Sequence, residues 1–174
     1  SIIKNYIFSN NAGYMKRFFD LFVALLLSIF LLIPILMIAF AIRLTSEGPV
    51  LYWSERIGKE NELFKMPKFR TMILGTPAVA THLMNDPDEY LSPIGGFLRK
   101  TSMDEIPQLF SILKGEMSFV GPRPALYNQD DLVNLRNEYG VNKLIPGLTG
   151  WAQINGRDEL PIPEKVKMDV LYME

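Results

Sequence analysis

Two neighbouring carboxylates, Asp104 and Glu105, lie in the stretch TSMDEIPQLF, shortly before a proline and an apolar run. Ser102 followed three residues later by Glu105 is the pattern of a capping box, in which two side chains satisfy free backbone N–H groups at a helix start. Placing the cap at Asp104 instead puts Pro107 at the third helical position, where no intrahelical donor is lost. Both registers predict that the pair lies at a helix N-terminus.

A helix N-terminus also has a chemical meaning, because its free N–H groups attract phosphate and keep a carboxylate ionised. An ionised Asp104 could attack a phosphorus atom, while Glu105, about 100° around the helix, could hold a divalent cation on the same phosphate. Four basic residues could neutralise the remaining oxygens, namely Arg99, Lys100, Arg123 and Arg157. On spacing alone the capping interpretation is favoured, and the chemical one stays open.

The composition excludes several other kinds of chemistry. The chain of 174 residues has no cysteine, so disulfides, thiolate metal sites and a thiol nucleophile are excluded. His82 is the only histidine and stands in a loop-like stretch, so a histidine-based metal site has no second member. The formal charge of −1 gives no argument for a nucleic-acid partner. The length fits one domain, and any anionic ligand must be held by a local cluster of basic residues.

The N-terminal part has the composition of a membrane segment. No residue from Leu21 to Ile42 is charged, and such a run can cross the ~30 Å hydrocarbon layer as a helix. Pro34 interrupts the run, and basic residues flank it on both sides, which favours placing both ends on the cytoplasmic face. The residues alone leave three possibilities open: a re-entrant segment, a true span, and a buried helix of a soluble core.

Past Arg43 the pattern is that of a mixed, helix-rich α/β domain. Val50 to Trp53 follow a Gly-Pro turn and are predicted to be extended. The stretch ELFKMPKFRTMIL interleaves apolar and basic residues, which favours an edge strand with its basic side chains in solvent. A short apolar strand is predicted to lead into the rigid Pro-Arg-Pro turn around Arg123.

Apolar residues at helical spacing predict three helices in the same domain. The first helix ends at Gly115 and carries Ile106, Leu109, Phe110 and Leu113. The second ends at Gly140 and carries Leu132, Leu135 and Tyr139. The last begins near Glu164 and is predicted to bury Val166, Val170 and Met173. A short helical or turn segment is also predicted at Phe97 to Lys100.

Three ordered motifs follow the hydrophobic N-terminal segment, namely KFRTM, RKTSMDEIPQLFSILKGEMSFVGPRP and PGLTGWAQINGR. Together, the segment and the motifs closely resemble the bacterial sugar transferase family. These proteins are small monotopic polyprenyl-phosphate phosphoglycosyltransferases. The resemblance covers nearly the whole chain, from about Lys16 to Tyr172. The sequence departs from the family pattern at Ile33, where a serine often precedes the proline, and at Ile145, where an arginine is common.

The resemblance implies a two-step reaction at a covalent intermediate. The first acidic residue of the family's Asp-Glu pair attacks the β-phosphate of a UDP-sugar and releases UMP, and a polyprenyl (undecaprenyl) phosphate then takes the phosphosugar. Carried over to this chain, Asp104 is the nucleophile, and Asp104 and Glu105 are the expected ligands of a Mg²⁺ cofactor. The implied phosphate-binding residues are Lys68, Arg99, Arg123 and Arg157.

The resemblance also implies where the protein lies. Residues 1–43 would form a re-entrant helix-break-helix at Pro34, and residues 44–174 a globular catalytic domain with surface amphipathic helices on the cytoplasmic face of the bacterial inner membrane. Family members continue past this chain's last residues, so we expect it to be part of a longer protein. The implied role is the first membrane step of glycoconjugate assembly, as for O-antigen, capsule, exopolysaccharide or glycoprotein glycans. The alternatives are a membrane-anchored scaffold without activity and a nucleotide-sugar hydrolase.

Overall fold

The computed structural model describes residues 2–76, 86–156 and 160–173. His82 and Arg157 therefore lie outside the described residues. The chain combines seven α-helices and four short strands within these ranges, which agrees with the predicted mixed, helix-rich α/β class. Four further 3₁₀ turns connect them, at Lys59–Asn61, Pro87–Tyr90, Met103–Gln108 and Val141–Lys143.

The apolar N-terminal run forms two helices joined by a sharp bend. α1 spans Ile2–Phe30 and α2 spans Leu32–Thr45, with an angle of 60° between Gly13–Phe30 and Leu32–Thr45. Pro34 is the third residue of α2, a position where a missing N–H breaks no intrahelical bond. In the described part of the chain no single helix is long and apolar enough to span a membrane, whereas the two helices of this bent pair are when they are taken together.

The middle of α1 is attached to the globular part of the protein through two side chains, Arg17 and Asp20. The Arg17 guanidinium donates to the carbonyls of Ile112 and Leu113, at 2.6 and 2.9 Å, in the last turn of a later helix. The backbone N–H of Phe119 donates to Asp20 Oδ1 at 3.2 Å. These bonds satisfy backbone groups that a helix end and a short strand leave free.

A β-hairpin forms the wall of the globular part nearest to α2. β1 (Leu51–Ile57) pairs antiparallel with β2 (Leu63–Phe69). The prediction of a solvated basic face on this stretch is wrong for two of its residues. Lys65 is exposed, but the side chain of Lys68 is only 16% exposed and Arg70 only 6%, because both lie against the site described below.

A second sheet consists of two parallel strands, β3 (Ser118–Val120) and β4 (Gly147–Thr149). This pairing was not predicted from the sequence. The two backbones approach closely, since a Cβ atom at Gly147 would lie 2.1 Å from the backbone nitrogen of Gly121. The contact holds the chain that carries Arg123 beside the chain that begins the motif GWAQ.

The predicted helices of the globular part are present. They are α3 (Gly95–Lys100), α4 (Leu109–Lys114), α5 (Asp130–Glu138) and α7 (Ile162–Met173), whereas the short helix α6 (Trp151–Ile154) was not predicted. α4 ends as predicted at Gly115, whose positive φ of 92° suits glycine. Val166 is buried, but the prediction for Met173 is wrong, because its side chain is 42% exposed. Asp169 is the residue that α7 buries instead.

Candidate active site

The carboxylate pair lies on a 3₁₀ turn that leads directly into α4. Asp104 and Glu105 are its second and third residues, and Pro107 is its fifth. The predicted capping box is wrong, because Ser102 has a left-handed backbone (φ 57°, ψ 18°) and its side chain makes no capping bond. A capping side chain needs an extended backbone at its own residue, which Ser102 does not have.

Glu105 is held by two cations at the same oxygen. Lys68 Nζ, from β2, and an Arg123 NH2 group, from the Pro-Arg-Pro turn, each lie 2.9 Å from Glu105 Oε1. Burial alone would raise the pKa of Glu105, but the positive charges of Lys68 and Arg123 outweigh it and lower the pKa to about 2. Glu105 is therefore ionised throughout the physiological range.

Asp104 has the opposite electrostatic character. Only 8% of the residue is exposed, and this burial raises the pKa of Asp104, which the negative charge of Glu105 raises further. The charges of Lys68 and Arg99 act against the increase. The environments of the two neighbouring carboxylates thus push their pKa values apart, an arrangement in which the more basic group is the better nucleophile.

Asp104 lies on the wall of a cavity of about 710 Å³, a size that accommodates a nucleotide-sugar. Of the residues predicted from the sequence, Lys68, Arg99 and Arg123 line the same cavity. The structure thus brings these residues together with Asp104, and Glu105 contacts Lys68 and Arg123, whereas Lys100 is exposed and does not line the cavity. Arg99 is oriented by a bond of 2.9 Å from its Nε to Thr71 Oγ1. The sequence did not indicate four other basic residues of the lining, which are Arg56, Arg70, Arg136 and Lys165.

Arg136 and Asp169 form a buried ion pair behind the Pro-Arg-Pro turn. Arg136 NH2 and Nε lie 2.8 and 3.0 Å from Asp169 Oδ2, and its NH1 donates to the backbone carbonyl of Arg123 at 2.8 Å. The pair therefore positions the turn that presents the Arg123 side chain to Glu105. A sequence signal existed for Asp169, because it falls between Val166 and Val170 on the buried face of α7.

The adjacent carboxylates have the chemistry of magnesium ligands. Across the described ranges there is no cluster of three or more acidic, histidine or cysteine side chains that could enclose a metal ion. Mg²⁺ in proteins is often bound through only one or two carboxylates, with waters and substrate phosphates as the other ligands. Asp104 and Glu105 supply that number of carboxylates beside a cavity lined by cations.

Comparison with known proteins gives consistent matches. The profile of the family described as "Bacterial sugar transferase" matches residues 11–174. The chain is 33% identical to "Undecaprenyl-phosphate galactose phosphotransferase" of Salmonella typhimurium, over 99% of this chain and 39% of the relative. It is 41% identical to "UDP-glucose:undecaprenyl-phosphate glucose-1-phosphate transferase" of Escherichia coli, over 91% of this chain and 35% of the relative.

A shorter relative, "Uncharacterized sugar transferase EpsL" of Bacillus subtilis, is 38% identical over 92% of this chain and 78% of its own length. The chain spans 39% and 35% of the length of the two enterobacterial relatives. The family match covers the cavity wall, the carboxylate pair and most of the bent helices. It confirms the resemblance inferred from the three sequence motifs, and the chain belongs to the bacterial sugar transferase family.

Proposed function

We propose that this protein is a phosphoglycosyltransferase, which moves a phosphosugar from a UDP-sugar to a polyprenyl phosphate. The observation that carries the proposal is the pair Asp104 and Glu105, with pKa values pushed apart, at a cavity lined by basic side chains. A diphosphate donor explains the basic lining, and a carboxylate nucleophile requires neither histidine nor cysteine. Relatives named for transfer of glucose or galactose phosphate to undecaprenyl phosphate support the same reaction class.

In the first step, a carboxylate oxygen of Asp104 attacks the β-phosphorus of the UDP-sugar. A bond forms between the Asp104 oxygen and phosphorus, and the bond from phosphorus to the bridging oxygen breaks, so that UMP leaves with that oxygen. In the second step, a phosphate oxygen of the polyprenyl phosphate attacks the same phosphorus. The aspartyl bond breaks, Asp104 is regenerated as a carboxylate, and a polyprenyl-diphospho-sugar is formed.

The surrounding residues orient the phosphates and balance their charge. Arg99, fixed by Thr71, and Arg123, which lines the cavity from the Pro-Arg-Pro turn, provide positive charge beside Asp104. Lys68 holds Glu105 ionised, which keeps that carboxylate available as a metal ligand. A magnesium ion held by Glu105 and Asp104 would neutralise charge on the diphosphate. Arg157 is proposed as a further phosphate ligand.

The proposed location is the cytoplasmic face of the bacterial inner membrane. The bend of 60°, the proline at the start of α2 and the exposed phenylalanines along both helices support a re-entrant segment. Under this proposal residues 1–43 enter and leave the bilayer from one side, and residues 44–174 form the catalytic part. Cysteines placed at Ser9 and Thr45 should react with an impermeant thiol reagent from the same side. Labelling from opposite sides would show a true span.

The experiment that tests the reaction combines mass spectrometry with UMP release. Wild-type protein incubated with Mg²⁺ and UDP-glucose or UDP-galactose, the sugars named in two relatives, should gain one phosphohexose on Asp104. Asp104→Asn should abolish both the adduct and UMP release, whereas Asp130→Asn, an exposed aspartate on α5, should change neither. Full UMP release by Asp104→Asn would refute the assignment.

Two alternative functions are separated by the same assay. A hydrolase would release sugar phosphate over many turnovers without any polyprenyl phosphate, whereas the proposed transferase stops after one turnover. A scaffold would consume no nucleotide sugar at all. The structure does not favour a scaffold, because a positioned carboxylate pair beside a cation-lined cavity is more than a scaffold requires.

A further inference from the structure

Arg70 is a buried cation without a compensating charge. It is 6% exposed, and no carboxylate in the described part of the chain forms an ion pair with it. Its Nε and NH1 atoms are buried and have no hydrogen-bond partner among the residues that the structure describes. Burying a guanidinium in this way is costly unless an anion completes its bonding, so Arg70 differs from the paired cations Lys68 and Arg136.

The position of Arg70 connects the bent helices to the cavity. Its NH2 group donates to Ser46 Oγ at 2.7 Å and to the Ser46 carbonyl at 3.1 Å, and Ser46 is the residue that follows α2. Arg70 also lines the cavity that contains Asp104. The guanidinium occupies space left by Gly48, where a Cβ atom would lie 2.3 Å from Arg70 NH1. Gly48 has a φ of +101°, which also favours glycine.

The neighbouring cations Lys68 and Arg99 already form hydrogen bonds to other side chains. Lys68, in β2, is bound to Glu105, and Arg70 is the residue that follows the end of that strand. Thr71, the next residue along the chain, is the hydrogen-bond acceptor that orients Arg99. Arg70 therefore lies between Lys68 and Thr71 in the sequence, and among the described residues no carboxylate pairs with its charge, so that it can receive an anion on the α2 side of the cavity.

We propose that Arg70 binds the phosphate of the lipid acceptor. The proposal rests on the transferase function above and assigns one subsite within it. A polyprenyl phosphate keeps its chain in the bilayer, so its phosphate must enter the cavity from the end where α2 leaves the apolar segment. The guanidinium held at Ser46 stands at that end. A nucleotide-sugar, in contrast, arrives from water and needs no cation tied to α2.

The test separates the two half-reactions of the full chain reconstituted in phospholipid nanodiscs. Arg70→Gln should leave single-turnover UMP release from the UDP-sugar, measured without acceptor, within about twofold of wild type. The same variant should raise the KM for undecaprenyl phosphate by about tenfold to a hundredfold, as expected for loss of a charge-assisted hydrogen bond. Lys65→Gln, which removes an exposed charge in β2, should change neither quantity.

A second, milder variant tests the proposal if Arg70→Gln does not fold. Ser46→Ala removes one partner of the guanidinium without removing the charge, and should raise the acceptor KM by about twofold to tenfold at an unchanged melting temperature. An equal loss in both half-reactions, or an unchanged acceptor KM in both variants, would overturn the proposal for Arg70. A wild-type protein that forms no adduct would instead refute the transferase function itself, so the two failures are distinguishable.

Discussion

Replacing Glu105 by glutamine should remove an electrostatic stabilisation whose size follows from the site. The cations Lys68 and Arg123 lower the pKa of Glu105 from its ordinary value of 4.5 to about 2. At 1.36 kcal/mol per pH unit, this difference corresponds to about 3 kcal/mol of folding free energy. Glutamine keeps the shape and the hydrogen-bond acceptor, so the variant isolates the contribution of the charge.

The sign of the pH dependence follows from the lowered pKa. Because the folded state binds the Glu105 proton less readily than the unfolded state, the stabilisation is fully present above pH 4.5. It should decline as the pH falls towards about 2, where the folded protein also protonates Glu105. The free-energy difference between wild type and Glu105→Gln should therefore shrink by about 3 kcal/mol over this interval.

Urea denaturation in detergent micelles, followed by tryptophan fluorescence between pH 7 and pH 2.5, measures that difference. The other carboxylates cancel in the comparison, except for Asp104, whose pKa the charge of Glu105 also raises. Glu138→Gln, an exposed glutamate at the end of α5, should stay within about 0.5 kcal/mol of wild type at every pH. If the difference for Glu105→Gln is constant over the whole range, the two cations do not stabilise Glu105 as the structure indicates.

Three further predictions concern the parts that position the site. Asp169→Asn should lower stability by about 3–5 kcal/mol in the same denaturation assay, because the buried Arg136 loses its counter-charge; an unchanged midpoint would contradict this. Arg17→Met should cost about 1–3 kcal/mol, since two carbonyls at the end of α4 lose their donor, and thermal unfolding measures the loss. Gly147→Ala should cost about 1–3 kcal/mol or more by overlap with the backbone of Gly121, and a melting temperature equal to wild type would exclude that contact.

Local signals in the sequence predicted much of the fold. The spacing of Leu109 and Leu113 and the glycine at position 115 predicted α4 and its end, because helix periodicity and a left-handed cap are local properties. The pairing of β3 with β4 is a contact between segments far apart in the chain, and three-residue strands carry too few residues to show a periodic pattern. The prediction of a capping box was wrong because Ser102 adopts a left-handed backbone conformation that its sequence neighbours do not specify.

The candidate site was predicted in part, through motifs rather than through spacing. Asp104, Glu105, Lys68, Arg99 and Arg123 were all chosen from the sequence, and the structure places them together. The supporting residues were missed, because the role of a buried charge depends on partners that only the fold brings near. A charged residue on an apolar helix face, as at position 169, was the one local sign of such a partner.

The attachment of α1 to α4 has a consequence for the depth at which the chemistry takes place. Arg17 fixes the end of α4, the helix that follows the turn carrying Asp104, so the proposed nucleophile has a fixed height relative to the apolar run of α1. If that run lies in a bilayer as proposed, membrane thickness sets how far the acceptor phosphate must rise to reach the carboxylate. Transfer should then have an optimum in lipid acyl-chain length, while the formation of the covalent adduct from a soluble donor should have none.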